Sequence, residues 1–193
     1  MIRLVALLLA VLAPNAAFAH VGHGATTSFE AGFAHPLGGL DHVAVMVAVG
    51  LWAALKGGRA LWLWPAAFVA VMMVGGTLGM AQIALPLVEP AILASIVAIG
   101  LLVALAIDAP LWLGAAVVGV FALFHGHAHG TEITESISGL EYTAGFTTAT
   151  VLLHVIGLAF ALSLTRAGLR LFIRAGGMAC VAIGLTLTAG TFG

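Results

Sequence analysis

Residues 110–132 read PLWLGAAVVGVFALFHGHAHGTE, an apolar run that ends in a group of polar side chains. A helix needs about 20 predominantly apolar residues to cross the ~30 Å hydrocarbon core of a bilayer. The segment 110–129 meets that requirement, and three histidines and Glu132 stand at its end. The stretch therefore predicts a membrane helix that carries a polar site at one end.

The composition of the whole chain is that of a protein surrounded by lipid. Of its 193 residues, 63% are hydrophobic and 7% are charged, and the mean hydropathy is +1.22. A water-soluble domain of this size would expose too much apolar surface. The formal net charge of −1 offers no basic surface for a nucleic acid. No G-x-x-x-x-G-K-[ST] motif is present, so ATP is not expected as a partner.

Apolar stretches divide the chain into segments of the length that a membrane crossing requires. There are six such segments after residue 19, and short joints of Gly, Pro or charged residues separate them. They cover residues 33–55, 60–80, 88–107, 110–129, 139–163 and 169–190. We therefore predict an all-α membrane protein with a single domain over residues 20–193, folded as a six-helix transmembrane bundle. Six crossings also allow a 3+3 inverted repeat, although the two halves show no convincing sequence similarity.

The first nineteen residues have the pattern of a secretory signal peptide. Arg3 provides a positive start, residues 4–12 form a short apolar core, and Ala17-Phe18-Ala19 is typical of a cleavage site. The alternative is an uncleaved first helix, but the apolar run is too short to cross a bilayer. We expect residues 1–19 to be removed, so that the mature chain begins at His20.

Two signals predict the orientation of the bundle. The signal peptide places the mature N-terminus outside, so the joints 56–59, 108–109 and 164–168 should face the cytoplasm. Basic residues are enriched in cytoplasmic joints, and those in or beside the first and third joints are Lys56, Arg59, Arg166, Arg170 and Arg174. We expect a multi-pass protein of the bacterial inner membrane with both mature termini in the periplasm.

A first group of polar side chains lies where the first crossing begins, in the segment His35-Pro-Leu-Gly-Gly-Leu-Asp41-His42. The proline and two glycines disfavour a regular helix, so His35 is expected in an irregular lead-in that can fold back toward His42. Asp41 then stands near a helix N-terminus, where the helix dipole stabilises a carboxylate.

A second polar group ends the fourth crossing. If the helix continues through its glycines, His125, His129 and Glu132 lie on one face at i, i+4 and i+7, and His127 points elsewhere. The alternative is that Gly130 ends the helix. The first crossing runs inward and the fourth runs outward, so both polar groups are expected at the outer leaflet.

The residue types in these groups indicate a transition metal. Neutral imidazoles beside carboxylates suit Ni²⁺, Co²⁺ or Zn²⁺, whereas Mg²⁺ and Ca²⁺ prefer oxygen ligands. One cysteine, Cys180, is too few for a thiolate cage. The candidate ligands are His35, Asp41, His42, His125, His129 and Glu132, and the secondary candidates are Glu89, His154, His20 and His23.

For several residues a structural role is the simpler interpretation. His154 lies inside the fifth crossing, where a histidine that is hydrogen-bonded between helices is more common than a ligand. His20 and His23 fall in a segment expected to be an exposed tail. The aromatic residues expected at lipid-facing or interfacial positions are Trp52, Trp62, Trp64, Trp112 and Phe68.

Two motifs resemble the signatures of the HupE/UreJ family. They are H-P-x-x-G-x-D-H at 35–42 and F-H-G-x-A-H-G-x-E at 124–132, and the resemblance covers the whole mature chain. It implies a nickel, or in some members cobalt, permease of the bacterial inner membrane that supplies metal for hydrogenase or urease maturation. The functional residues that it implies are His35, Asp41, His42, His125, His129 and Glu132.

The residues and the resemblance together predict a transporter rather than an enzyme: a secondary permease that imports Ni²⁺ or Co²⁺ into the cytoplasm. Its partners are the ion and the lipid bilayer, and no separate cofactor is expected. The alternative function is an intramembrane zinc-dependent hydrolase, in which three protein ligands hold zinc and a water occupies the open position. A metal sensor would need a soluble partner domain, for which the chain has no room.

Overall fold

The computed structural model describes residues 28–133 and 138–192, and every regular element within these ranges is an α-helix. The predicted all-α class is confirmed. The signal peptide predicted over 1–19, and the candidates His20 and His23, lie outside the described residues. In chain order the helices are α1 (Ser28–Gly38), α2 (Leu40–Lys56), α3 (Ala60–Met80), α4 (Val88–Ala104), α5 (Leu111–Glu132), α6 (Gly139–Arg166) and α7 (Arg170–Phe192).

Several helices have the length and composition of membrane crossings. Among the described residues, α3, α5, α6 and α7 are each long and apolar enough, and α1 with α2 passes the same test as a bent pair. The apolar helix α4 is shorter, at 17 residues. The chain is therefore a multi-pass membrane protein. The sixth crossing and the inverted repeat stay predictions.

The segment predicted as the first crossing, 33–55, is interrupted at Gly39. The axes of α1 and α2 differ by 81°, and Gly39 has an extended backbone between them (φ −106°, ψ 121°). The irregular lead-in expected before Asp41 is wrong, because α1 is a regular helix that contains Pro36. His35 therefore lies on a helix, and one glycine makes the whole turn.

Packing against α6 explains why α1 forms despite its proline. A Cβ on Gly32 would collide with the backbone carbonyl of Tyr142, and one on Gly145 would collide with the carbonyl of Phe29. The two backbones therefore touch at both glycines. A short helix that is marginal alone is stabilised by tertiary packing of this kind.

The helices α3 and α5 also meet backbone to backbone. A Cβ on Gly79 would collide with the carbonyl of His127, and one on Gly126 would collide with the carbonyl of Met72. Small residues allow this approach in lipid, where no hydrophobic drive brings helices together. The glycines of α5 serve packing rather than termination, and α5 continues to Glu132. The continuous-helix alternative is confirmed.

We call one end of the bundle, where α2 begins and α5 ends, the cluster end. At the opposite end, Trp52 and Trp64 are fully buried with ring centroids 4.3 Å apart. Their indole N–H groups donate to the backbone carbonyls of Ile107 and Leu111, each at 2.9 Å. The lipid-facing or interfacial position predicted for both tryptophans is wrong, because each indole is buried and has a hydrogen-bond partner inside the bundle.

Two basic side chains form interactions at the end of the bundle that lies opposite the cluster end. Lys56, at the end of α2, forms an ion pair with Asp108 in the joint between α4 and α5. Arg174 of α7 donates from Nε to the carbonyl oxygen of Ala104 at 2.7 Å. The joint after α4 is thus held by side chains from neighbouring helices.

The positions predicted for the other three aromatic residues are confirmed for two of them and wrong for the third. Trp62 and Trp112 are 61% and 72% exposed, in agreement with the lipid-facing or interfacial position expected for them. Phe68 is fully buried, so its predicted position is wrong. It lies on the inner face of α3, where its ring contacts the rings of two histidines.

Candidate metal centre

Polar side chains from three helices meet at the cluster end. α1 contributes one histidine, the first turn of α2 contributes an aspartate and a histidine, and the last turns of α5 contribute two histidines and a glutamate. The structure thus brings together the two segments whose convergence was expected from the crossing directions. These residues are His35, Asp41, His42, His125, His129 and Glu132.

The most accessible region of the cluster consists of two histidines around one carboxylate. Glu132 Oε2 lies 3.0 Å from His35 Nε2 and 3.5 Å from His129 Nδ1. One potential ligand atom from each of the three residues lies within 4.8 Å of the others. The side chains of His35 and Glu132 are 37% and 51% exposed, whereas that of His129 is 5% exposed. This group can therefore meet an ion from the surroundings.

Asp41 fixes the orientation of the neighbouring histidine. Its Oδ1 lies 2.8 Å from His42 Nδ1 and accepts the backbone N–H of His42 at 2.9 Å. The carboxylate stands in the first turn of α2, where the helix dipole favours a negative charge. Donation from Nδ1–H to a carboxylate leaves the lone pair on Nε2, which is how a metal-binding histidine is commonly held. His42 Nε2 is buried and has no hydrogen-bond partner in the part of the chain that the structure describes.

Ser95 of α4 performs the same task for His125, and it was missed in the sequence. Its hydroxyl donates to the carbonyl of Ile92 at 2.5 Å and lies 3.0 Å from His125 Nε2. A hydroxyl that already donates can accept from Nε2–H, so the lone pair of His125 falls on Nδ1. That nitrogen is buried, and none of the described residues forms a hydrogen bond with it. The signal was present, because Ser95 is the one polar side chain of segment 91–104.

The imidazole rings form a continuous series. The ring centroid of His129 lies 4.7 Å from that of His35 and 4.5 Å from that of His42. His42 in turn lies 5.0 Å from His125. Among the described residues, His129 Nε2 has no hydrogen-bond partner, and the approach of its Nδ1 to Glu132 Oε2 is long, at 3.5 Å. Buried polar atoms are normally paired, so these nitrogens are suited to binding an ion.

Two aromatic residues of α6 pack against the histidines of the cluster. The ring of Phe146 lies 4.0 Å from that of His129, and the ring of Tyr142 lies 6.1 Å from that of His35. Both aromatic side chains are buried. Nothing in the sequence distinguished them from other apolar residues of the fifth predicted crossing, because their role depends on where α1 packs.

Three other polar residues lie apart from this group. His127 points away, as predicted, and its Nε2 bonds the carbonyl of Ile83 at 2.8 Å. Glu89 is exposed in the first turn of α4 and is not one of the three residues whose ligand atoms cluster. His154 is buried deeper between α3 and α6, beside Phe68.

Comparisons with known proteins address the family directly. The family model described as HupE / UreJ protein matches residues 7–187. Protein HupE of Rhizobium leguminosarum bv. viciae is 47% identical over 184 residues, which are 95% of this chain and 95% of that protein. No solved structure matches the chain. Since the family model and this relative both span nearly the whole sequence, the chain belongs to the HupE/UreJ family.

Proposed function

We propose that the chain is a secondary permease that imports a divalent transition metal ion, Ni²⁺ or Co²⁺, through the metal centre. One observation carries the proposal: at one end of a membrane bundle, carboxylates stand beside buried imidazole nitrogens that have no hydrogen-bond partner within residues 28–133 and 138–192. Nitrogen and oxygen ligands of this kind suit these ions. The HupE/UreJ family is generally one of nickel and cobalt transport.

The proposed location is the bacterial inner membrane, with the cluster end toward the periplasm. Basic residues support this orientation, because cytoplasmic ends are enriched in them. Those of the described ranges lie at the opposite end, where α2 and α6 end and where α3 and α7 begin: Lys56, Arg59, Arg166, Arg170 and Arg174. Both mature termini would then be periplasmic.

Six crossings related as an inverted repeat belong to the same proposal. The helix pairs that pack most extensively include α2 with α6, α3 with α5, and α4 with α7. Exchanging α2 with α5, α3 with α6 and α4 with α7 maps this set of pairs onto itself. That is the pairing expected when two halves of three crossings are related by a two-fold axis in the membrane plane.

The geometry suggests the order in which side chains take the ion. The half-exposed Glu132 and His35 meet the hydrated ion first, and His129 replaces further waters. His125 lies one turn closer to the cytoplasm on α5, about 6 Å along the axis. There His42 Nε2 and His125 Nδ1 are free to bind. Asp41 and Ser95 act as positioning residues, and the passage itself is facilitated or coupled to an ion gradient.

The decisive experiment is uptake of radiolabelled Ni²⁺ and Co²⁺ by the full-length chain in liposomes, with and without a pH gradient. We expect uptake that exceeds that of empty liposomes and that is lost in His42→Ala. Glu141→Gln is the matched control, since Glu141 is an exposed acid in the first turn of α6, outside the cluster. Uptake by His42→Ala at the wild-type rate would contradict the proposal.

A zinc hydrolase is the second candidate, and one observation favours it. His35, His129 and Glu132 form a two-histidine, one-glutamate set, which is also the ligand set of several catalytic zinc sites. The imidazole series, however, continues past this set to His42 and His125, and a hydrolytic site needs no such extension. Zinc-dependent hydrolysis by the purified chain, without ion uptake, would decide for the enzyme.

A further inference from the structure

A line of side chains continues from the metal centre toward the cytoplasmic end, between α3 and α6. Phe146, Thr150 and His154 repeat at intervals of four residues on one face of α6. Phe146 contacts His129 at a ring distance of 4.0 Å, and Thr150 Oγ1 donates to Met72 Sδ at 3.7 Å. This face begins at the metal centre and reaches His154 about 12 Å deeper along the helix axis.

Phe68 stands between the metal centre and His154. Its ring centroid lies 5.9 Å from that of His125 and 5.0 Å from that of His154. All three side chains are buried, and His154 is 1% exposed. A single aromatic ring therefore separates His154 from the deepest histidine of the metal centre.

His154 lacks the hydrogen bonds that a structural role would require. Both of its ring nitrogens are buried, and neither has a partner among the described residues. A neutral imidazole has one donor and one acceptor nitrogen, and leaving both unpaired in the interior opposes folding. The hydrogen-bonded interhelical role predicted for His154 is therefore wrong.

Lipid does not supply the missing partner. The His154 side chain borders an apolar groove between α3 and α6, lined by residues such as Pro65, Val69 and Val151. Both imidazole nitrogens, however, are closed off from any such surface. The unsatisfied nitrogens belong to the interior of the bundle, where Phe68 and Met72 lie.

We propose that His154 is a second, inner binding station for the transported ion. An imidazole nitrogen of His154 accepts the ion after it has left His125 and passed the ring of Phe68. Met72 Sδ and Thr150 Oγ1 lie beside this path and can act as weak ligands for the ion. One imidazole with weak neighbours holds an ion loosely, as a site of passage requires. The inference rests on the proposed function, because the ion must first occupy the metal centre.

The test compares two substitutions of similar size that differ as ligands. His154→Cys supplies a thiolate, which binds transition metals well, and His154→Ser does not. Nickel uptake is measured with the full-length chain in liposomes, and equilibrium Ni²⁺ binding is measured in detergent. We expect His154→Ser to lower Vmax by about tenfold or more, while His154→Cys retains at least about a third of it.

Binding at the metal centre provides the check on folding. We expect the Kd for Ni²⁺ to stay within about twofold of wild type in both variants, because the metal centre is left intact. Thr148→Val, an exposed change on the same helix, should leave Vmax unchanged. Should neither variant insert, His154→Gln, which preserves more of the side-chain volume, takes the place of serine. Its Vmax should fall by about tenfold as well.

Each outcome decides one of two questions. Equal Vmax in His154→Cys and His154→Ser, or wild-type Vmax in His154→Ser or His154→Gln, overturns the inner station. If His42→Ala is inactive at the same time, the proposed function stands without the station. Wild-type uptake by His42→Ala would instead show that the ion does not pass through the metal centre, and wild-type protein whose uptake does not exceed that of empty liposomes would remove the permease function itself.

Discussion

A single carboxylate oxygen, Asp41 Oδ1, holds both the ring and the backbone of His42, at 2.8 Å from Nδ1 and 2.9 Å from the main-chain nitrogen. Because the two residues are adjacent in the first turn of α2, this pairing needs no other helix. The ring is therefore oriented as soon as α2 forms, and Nε2 faces the other imidazoles.

Asp41→Ala is expected to lower nickel uptake by about 10- to 100-fold, the usual effect of removing a residue that orients a metal-binding histidine. His42 then loses the partner that fixes its tautomer. Uptake in liposomes, normalised to inserted protein, measures the effect. Asp41→Asn keeps an oxygen acceptor but not the charge, so its uptake rate should lie between those of the wild type and Asp41→Ala. A wild-type rate in Asp41→Ala would show that His42 needs no orientation.

Glu132→Gln is expected to raise KM more than it lowers Vmax. Glu132 is half exposed and bridges His35 and His129, so it contributes to initial capture rather than to passage. A contact that stabilises the ion equally before and during passage raises KM when it is removed, and leaves Vmax almost unchanged. Uptake rates over a range of Ni²⁺ concentrations separate the two parameters. The exposed Glu141→Gln should change neither, and an effect on Vmax alone in Glu132→Gln would contradict a capture role.

Affinity for Ni²⁺ is expected to weaken as the pH falls. An imidazole must be neutral to bind a metal, so protons compete with the ion and are released when it binds. The decrease should begin below neutral pH and continue through the acid range, because each imidazole that gains a proton no longer binds the ion. Calorimetry in two buffers of different ionisation enthalpy measures both Kd and proton release. Constant affinity without proton release would exclude a histidine-rich site.

Gly126→Ala is expected to destabilise the bundle by about 1–3 kcal/mol, the usual cost of overpacking. Its Cβ would collide with the backbone carbonyl of Met72, which no rotamer change can move. The matched control is Gly119→Ala on the same helix, where the nearest atom is Val71 Cγ2 at 3.4 Å. Thermal unfolding in detergent compares the two. Similar Tm values would mean that α3 and α5 separate without cost.

Much of the candidate site could be predicted from local sequence. His125, His129 and Glu132 share a helical face because their spacing is four and three residues, and α5 is indeed continuous through them. The approach of α2 to α5 followed from the alternating direction of the crossings. These inferences need only helical geometry and a membrane.

What escaped prediction depends on tertiary contacts. Helix α1 forms because Gly32 and Gly145 let it touch α6, and no local rule reports that contact across Pro36. Ser95 becomes important only because α4 brings it within 3.0 Å of His125. The burial of Trp52 likewise depends on a carbonyl 55 residues away. A sequence shows which residues can form such bonds, but packing selects the partners.

The indole pair makes the two ends of the bundle unequal. At the cytoplasmic end of the proposed permease, Trp52 and Trp64 are hydrogen-bonded to the joint around Ile107 and Leu111, and the ion pair of Lys56 closes the same place. At the cluster end, Glu132 is half exposed. The opposite end is thus packed and hydrogen-bonded, whereas the cluster end offers accessible ligand atoms. In this conformation the protein corresponds to a loading state that is accessible from one side, because a packed end opposes movement of an ion in either direction.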